Sequence, residues 1–107
     1  MFVLEQILMF CRRVEQYVEL FGENYEDFAR STAYQDCCAL CIIQIGEHCK
    51  RVSEEIVDAK PEIEWSGWCK TRDFLTHQYI NLDVDILWDV INNDIPKIKE
   101  VCEDFLK

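Results

Sequence analysis

The sequence predicts an all-α fold, an antiparallel four-helix bundle with one short extra helical turn. Three observations predict it. Apolar residues recur at alternating steps of three and four along the long stretches of the chain. With only 3 Gly and 2 Pro, there are too few turn formers for an all-β fold. Half of the 107 residues are hydrophobic and 30% are charged, which is enough apolar surface for a core and too much for a disordered chain. At this length one domain, residues 1–107, is expected.

The first helix is expected over residues 3–21. Leu4, Ile7, Cys11, Val14, Val18 and Phe21 form its seam, and Gly22 stops it. Asn24 then caps a brief helical turn over residues 25–30. The second long helix opens at Ser31 or Thr32, where Thr32 and Gln35 have capping-box spacing, and its seam runs Cys38, Ile42, Ile45, Cys49, Val52, Ile56. That seam carries the helix to about Ala59, short of Pro61. Gly46 sits in its middle, where glycine costs about 1 kcal/mol against alanine, so a close helix–helix crossing is expected there. A third helix covers residues 65–77. The fourth opens at Asp83, with Asp85 in its first turn, and Pro96 breaks or kinks it. Trp65, Trp68, Trp88, Phe2 and Phe10 add apolar area beyond a single core stripe, which predicts pairing with a second copy.

Charge narrows the function classes. The net charge of −10 excludes a protein that grips duplex DNA by bulk charge. The first ten residues hold eight apolar ones, but Glu5 and the lack of a basic start read as a helix rather than a secretion signal. No run reaches the roughly 18 apolar residues of a membrane span, so a soluble cytoplasmic protein is expected, with no membrane partner. Seven cysteines, an odd number, then read as free, mostly buried thiols. Cys38 and Cys41 spell C-x-x-C without a second ligand pair, so no metal site and no cofactor are expected.

Of the two histidines, His48 reads as a surface or core-edge residue. His77 has different company, because residues 65–82 hold one acid, Asp73, against Lys70 and Arg72, so an anionic ligand is tolerated there more than elsewhere. A histidine can take and give a proton near neutrality, and an arginine fork fits phosphate oxygens. Asp73 lies one helical turn before His77 and can orient its ring. Arg72 and His77 are five residues apart, roughly 140° around an ideal helix. They converge if the helix ends at His77 or if two copies meet across a dimer axis. The plainer reading of the same residues is an Arg72–Asp73 surface pair with a helix-terminal histidine.

Arg72-x4-His77-x-Tyr79 resembles the R-x4-H-x-Y signature of the HepT-like group in the HEPN superfamily. The likeness extends to Ile45-Gly46-Glu47 followed by Lys50-Arg51, to Ile63-Glu64-Trp65, to Leu87-Trp88 and to Asp94-Ile95-Pro96-Lys97-Ile98. The resemblance implies a helical homodimer whose motif segments face each other, and a metal-independent endoribonuclease acting on RNA. It further implies the toxin of a type VII-like toxin–antitoxin pair, partnered by a minimal nucleotidyltransferase antitoxin. Arg72 and His77 are then the catalytic pair, and Tyr79 receives AMP, which silences the toxin. The group commonly has asparagine where Asp73 stands and often glycine near Lys70, where a lysine narrows the cleft or adds a phosphate contact. The alternative is a non-catalytic helical dimer that binds a nucleotidyltransferase or a nucleotide.

Overall fold

The computed structural model describes residues 2–78 and 83–107, and among these there is no strand. The helices are α1 (Phe2–Phe21), α2 (Tyr25–Ala29), α3 (Thr32–Cys49), α4 (Glu54–Ala59), α5 (Trp65–Gln78), α6 (Val84–Asp89) and α7 (Ile95–Phe105). A π-helical turn, Val90–Asp94, joins the last two.

The apolar seams become the core. Leu4, Ile7, Cys11 and Val14 of α1 are buried, as are Cys38, Ile42, Ile45 and Cys49 of α3 and Ile95, Ile98 and Cys102 of α7. The α1 and α3 axes run in opposite directions, since Phe10 meets His48 at one end and Phe21 stacks on Tyr34 at the other. The α1–α7 pair is likewise antiparallel, with Glu15 bonded to Lys99 at 2.9 Å and Arg12 facing Glu103 at 3.7 Å. The fourth long helix, α5, packs on α3.

The chain turns where its local chemistry says it should. Gly22 adopts φ 127°, which L side chains rarely enter, and its N–H donates to the Val18 carbonyl at 2.9 Å. Ser31 caps α3 by accepting from the Tyr34 N–H at 3.1 Å. Gln35 donates instead to the carbonyls of Phe28 and Ala29, so the Thr32–Gln35 box does not form. Asn24 stands at the start of α2 but makes no side-chain cap there. Hydrophobic packing holds that short helix in its place. Phe28 is fully buried, edge-on to Tyr34 at 4.8 Å and tilted on Trp88 at 5.1 Å. The Tyr34 hydroxyl donates to the Gly22 carbonyl at 2.9 Å, so the buried ring leaves no orphan polar atom.

Two expectations need correction. The second long helix ends at Cys49 rather than near Ala59. Ser53 starts a new helix, accepting from the Ile56 N–H at 3.4 Å, and Glu54 and Glu55 favour the positive end it creates. The seam residues Val52 and Ile56 are only half-buried. The aromatic surplus is also largely covered within the chain. Trp65 and Trp68 are 6% exposed, Phe10 and Trp88 pack against the core, and only Phe2 of the five stands in solvent. The break expected at Pro96 is present as the π turn just before it. Proline has no N–H for the ladder and its ring crowds the preceding turn, and the wider i→i+5 spacing absorbs both.

Candidate active site

The site is built where α3 and α5 cross. A Cβ added to Gly46 would sit 2.4 Å from the Arg72 Cβ and 2.6 Å from the Trp68 carbonyl oxygen. Only a glycine lets α5 approach this closely, which explains its place in mid-helix. The crossing lays the Arg72 stem against α3 and presents its guanidinium to the last turn of that helix.

Two carboxylates meet it there. Arg72 Nε lies 2.9 Å from Glu47 Oε2, and the Arg72 NH1 group donates to Asp73 Oδ1 at 3.0 Å. Lys50 Nζ donates to the same Asp73 oxygen at 3.1 Å. The Glu47 and Arg72 side chains are about one-third exposed, yet Nε and Oε2 themselves are shut off from water. Their angles fall short of a full hydrogen bond, so opposite charge at close range carries the contact. The bonds from Arg72 and Lys50 hold the Asp73 carboxyl below the usual carboxylate range. Asp73 therefore keeps its charge to lower pH than an ordinary aspartate.

The sequence-predicted residues are placed as follows. Arg72 faces α3, whereas His77 is exposed on the last turn of α5. Because α5 runs through His77 to Gln78, the roughly 140° between them on an ideal helix is kept, and one chain does not put both on one face. The described contacts of the Asp73 carboxylate are with Arg72 and Lys50. Lys70 lies beside an apolar cavity of about 290 Å³ lined also by Thr71, Phe74, Leu75, Ile86 and Leu87. Tyr79 lies outside the described residues. His48 is a core-edge residue, its Nδ1 2.7 Å from the Gln44 carbonyl and its ring against Phe10. Reading residues 65–82 alone as acid-poor missed Glu47, which reaches the site from another helix. Its signal was the Ile45-Gly46-Glu47 stretch, with glycine at the crossing and the acid one residue on.

The cysteines are not part of this chemistry. Cys11, Cys38, Cys41, Cys49 and Cys102 are buried, and all seven are free thiols. Burial pushes Cys38 up to about 12 and Cys41 up to about 11, so both stay protonated near neutrality and are poor nucleophiles and metal ligands.

A model of the ribonuclease HepT-like family matches residues 7–105. The chain belongs to this HEPN-superfamily family. Among curated relatives it is 32% identical to the "Probable ribonuclease HepT" of Thermococcus cleftensis, over 78% of this chain and 76% of that protein. It is 30% identical to a Methanocaldococcus jannaschii protein named "Putative RNase MJ0127", over 75% of this chain and 67% of that one. A second protein of that organism, "Putative RNase MJ1216", is 28% identical over 97% of this chain and 78% of its own length. No solved structure matches. Among the described residues of this HepT-like chain, no helix is long and apolar enough to cross a membrane.

The geometry carries a prediction about Asp73. Its carboxylate competes with any phosphate for the Arg72 NH1 group. Asp73→Asn is therefore expected to cleave RNA at or above the wild-type rate. A loss of about tenfold or more in kcat/KM, some 1.4 kcal/mol of transition-state stabilisation, would show that the charge is needed.

Proposed function

We propose that this chain is a metal-independent endoribonuclease in which Arg72 and His77 cleave RNA, and that it is the toxin of a type VII-like toxin–antitoxin pair. The observation that carries the reading is Arg72 itself. In a chain of the HepT-like family, this motif arginine is seated at the close helix crossing that Gly46 permits, with a histidine of the same helix left exposed. RNA can be cut without metal when a base removes the 2′-hydroxyl proton and the oxygen attacks the adjacent phosphorus. His77 fits the proton-transfer role. Arg72 fits stabilisation of the charge that grows on the non-bridging oxygens. The 5′-oxygen leaves with a proton, giving a 2′,3′-cyclic phosphate and a 5′-hydroxyl. The test is cleavage of single-stranded RNA by unmodified protein in EDTA, with retained activity expected. Intact RNA across diverse sequences would favour a non-catalytic dimer that binds a nucleotidyltransferase, a reading to which the −10 charge and the two acids on Arg72 lend support.

A homodimer is part of this reading. At 100° per residue, Lys70, Phe74 and His77 fall within about 60° on the outer side of α5. Phe74 is 50% exposed and Ile86, across the cavity on α6, is 56% exposed. A second copy seated on this face covers both and brings two His77 side chains into one cleft. Light scattering at micromolar concentration should give twice the 12.8 kDa chain mass, and Phe74→Glu should halve it. A monomeric wild type would contradict the proposal.

Tyr79, two residues beyond His77, is the proposed acceptor of AMP from the antitoxin. A bulky phosphate-linked group two residues from the catalytic histidine would hinder RNA by size and by charge. Co-expression with a cognate nucleotidyltransferase should add one or more AMP masses to the intact protein, and Tyr79→Phe should remove them. Additions that persist in the phenylalanine variant would place the modification elsewhere.

A further inference from the structure

The two acids on Arg72 are not equivalent. Asp73 is its sequence neighbour, stands in solvent, and shares its Oδ1 with Lys50. A phosphate can displace such an exposed contact at little cost. Glu47 comes from α3, next to the glycine of the crossing, and its Oε2 meets Arg72 Nε where neither atom sees water. Arg51, four residues on and just past the end of α3, lies 4.0 Å from the other Glu47 oxygen and is itself largely exposed. We propose that Glu47 is the positioning residue of this enzyme, fixing the plane of the Arg72 guanidinium from behind so that its outer edge is presented to the phosphate.

The chemistry of the group supports this division. A guanidinium is planar, and its nitrogens donate in fixed directions. A carboxylate on Nε sets the rotation of that plane and leaves the two terminal nitrogens to form paired bonds to phosphate oxygens. Without it the end of a long side chain swings, and the aim of its donors is lost. Stabilisation of a developing charge depends steeply on that aim. Glu47 touches no reacting atom in this account and acts only through Arg72.

The inference rests on the ribonuclease reading for its kinetic arm and on the structure alone for its spectroscopic arm. Glu47→Ala should lower kcat about 100-fold, the typical effect of an ångström-scale misplacement, with KM within about threefold of wild type by the same argument. Glu47→Gln keeps the shape of the side chain but loses the charge that carries the contact, and should therefore be about as slow as Glu47→Ala. In an Arg72→Ala background, Glu47→Ala should change nothing further, because its effect passes through the missing side chain. In protein labelled with 15N-arginine, the Arg72 Nε–H resonance, assigned by its loss in Arg72→Lys, should exchange slowly with water in wild type and rapidly in Glu47→Gln and Glu47→Ala. Unchanged exchange in the alanine variant, unchanged kcat, or a glutamine variant as fast as wild type would overturn the proposal. A wild type that cuts no RNA but shows the slow resonance would overturn the ribonuclease reading and leave the Glu47–Arg72 hold standing.

Discussion

The His77→Ala variant is expected to cleave RNA about 10²–10⁴-fold more slowly than wild type, the usual contribution of a positioned acid–base group. The folded protein should be unaffected, because His77 is exposed at the end of α5 and outside the core. Arg72→Ala should lose about 10²–10³-fold, as does removal of one donor from a charge-stabilising site. The two losses have different origins, proton transfer and phosphate charge, yet they act on one transition state. Their combination is therefore expected to cost less than the product of the single effects. Single-turnover cleavage of an end-labelled RNA checks all three variants, and circular dichroism melting confirms that each folds. Cleavage unchanged in His77→Ala would remove the histidine from the mechanism.

Gly46→Val is expected to destabilise the fold strongly. Its Cβ would have to occupy space 2.4 Å from the Arg72 Cβ and 2.6 Å from the Trp68 carbonyl. One of those atoms belongs to backbone, so no rotamer change relieves the clash and α5 must move off α3. Overpacking of this kind costs about 1–3 kcal/mol, and valine's two branches place it at the upper end or beyond. Alanine's helix propensity returns about 1 kcal/mol at this position, so Gly46→Ala should be the milder variant. For a chain of this size each kcal/mol lowers Tm by about 4–8 °C. Thermal melts should show Gly46→Val below Gly46→Ala and both below wild type. RNA cleavage should fall with them, since the displaced helix carries Arg72. A Gly46→Val protein with wild-type Tm would mean that the helices are not so close.

Much of this was legible in the residues. The three-four spacing of Leu4 to Phe21 and of Ile95 to Phe105 marked two helices and their buried faces, because periodicity reports directly on which side meets the core. Gly22, Asp83 and Pro96 marked boundaries through backbone chemistry that acts locally. Asp83 does cap α6, accepting from the N–H groups of Asp85 and Ile86. The break at Cys49 was hidden because the connection before Ser53 preserves the phase of the seam, so Val52 and Ile56 continued a pattern that the helix itself did not. The sequence Ser53-Glu54-Glu55 was the local sign of a new start. Trp65 and Trp68 were read as surplus because a count of aromatics cannot tell how much of them one chain will cover. At the site, Arg72, Asp73 and His77 stood out through their spacing. Glu47 did not, since its partner is 25 positions away in sequence and only the α3–α5 crossing brings them together.

The central claim is that this chain cuts RNA by attack of the 2′-hydroxyl, with its own side chains moving the proton and holding the charge. The most direct measurement is mass spectrometry of the fragments released from a defined single-stranded RNA by unmodified wild-type protein in EDTA, with Arg72→Ala alongside. The account predicts 2′,3′-cyclic phosphate and 5′-hydroxyl ends that form with the wild type and disappear with the variant. Fragments ending in 3′-hydroxyl and 5′-phosphate, or cleavage that stops in EDTA and returns with a divalent cation, would contradict it.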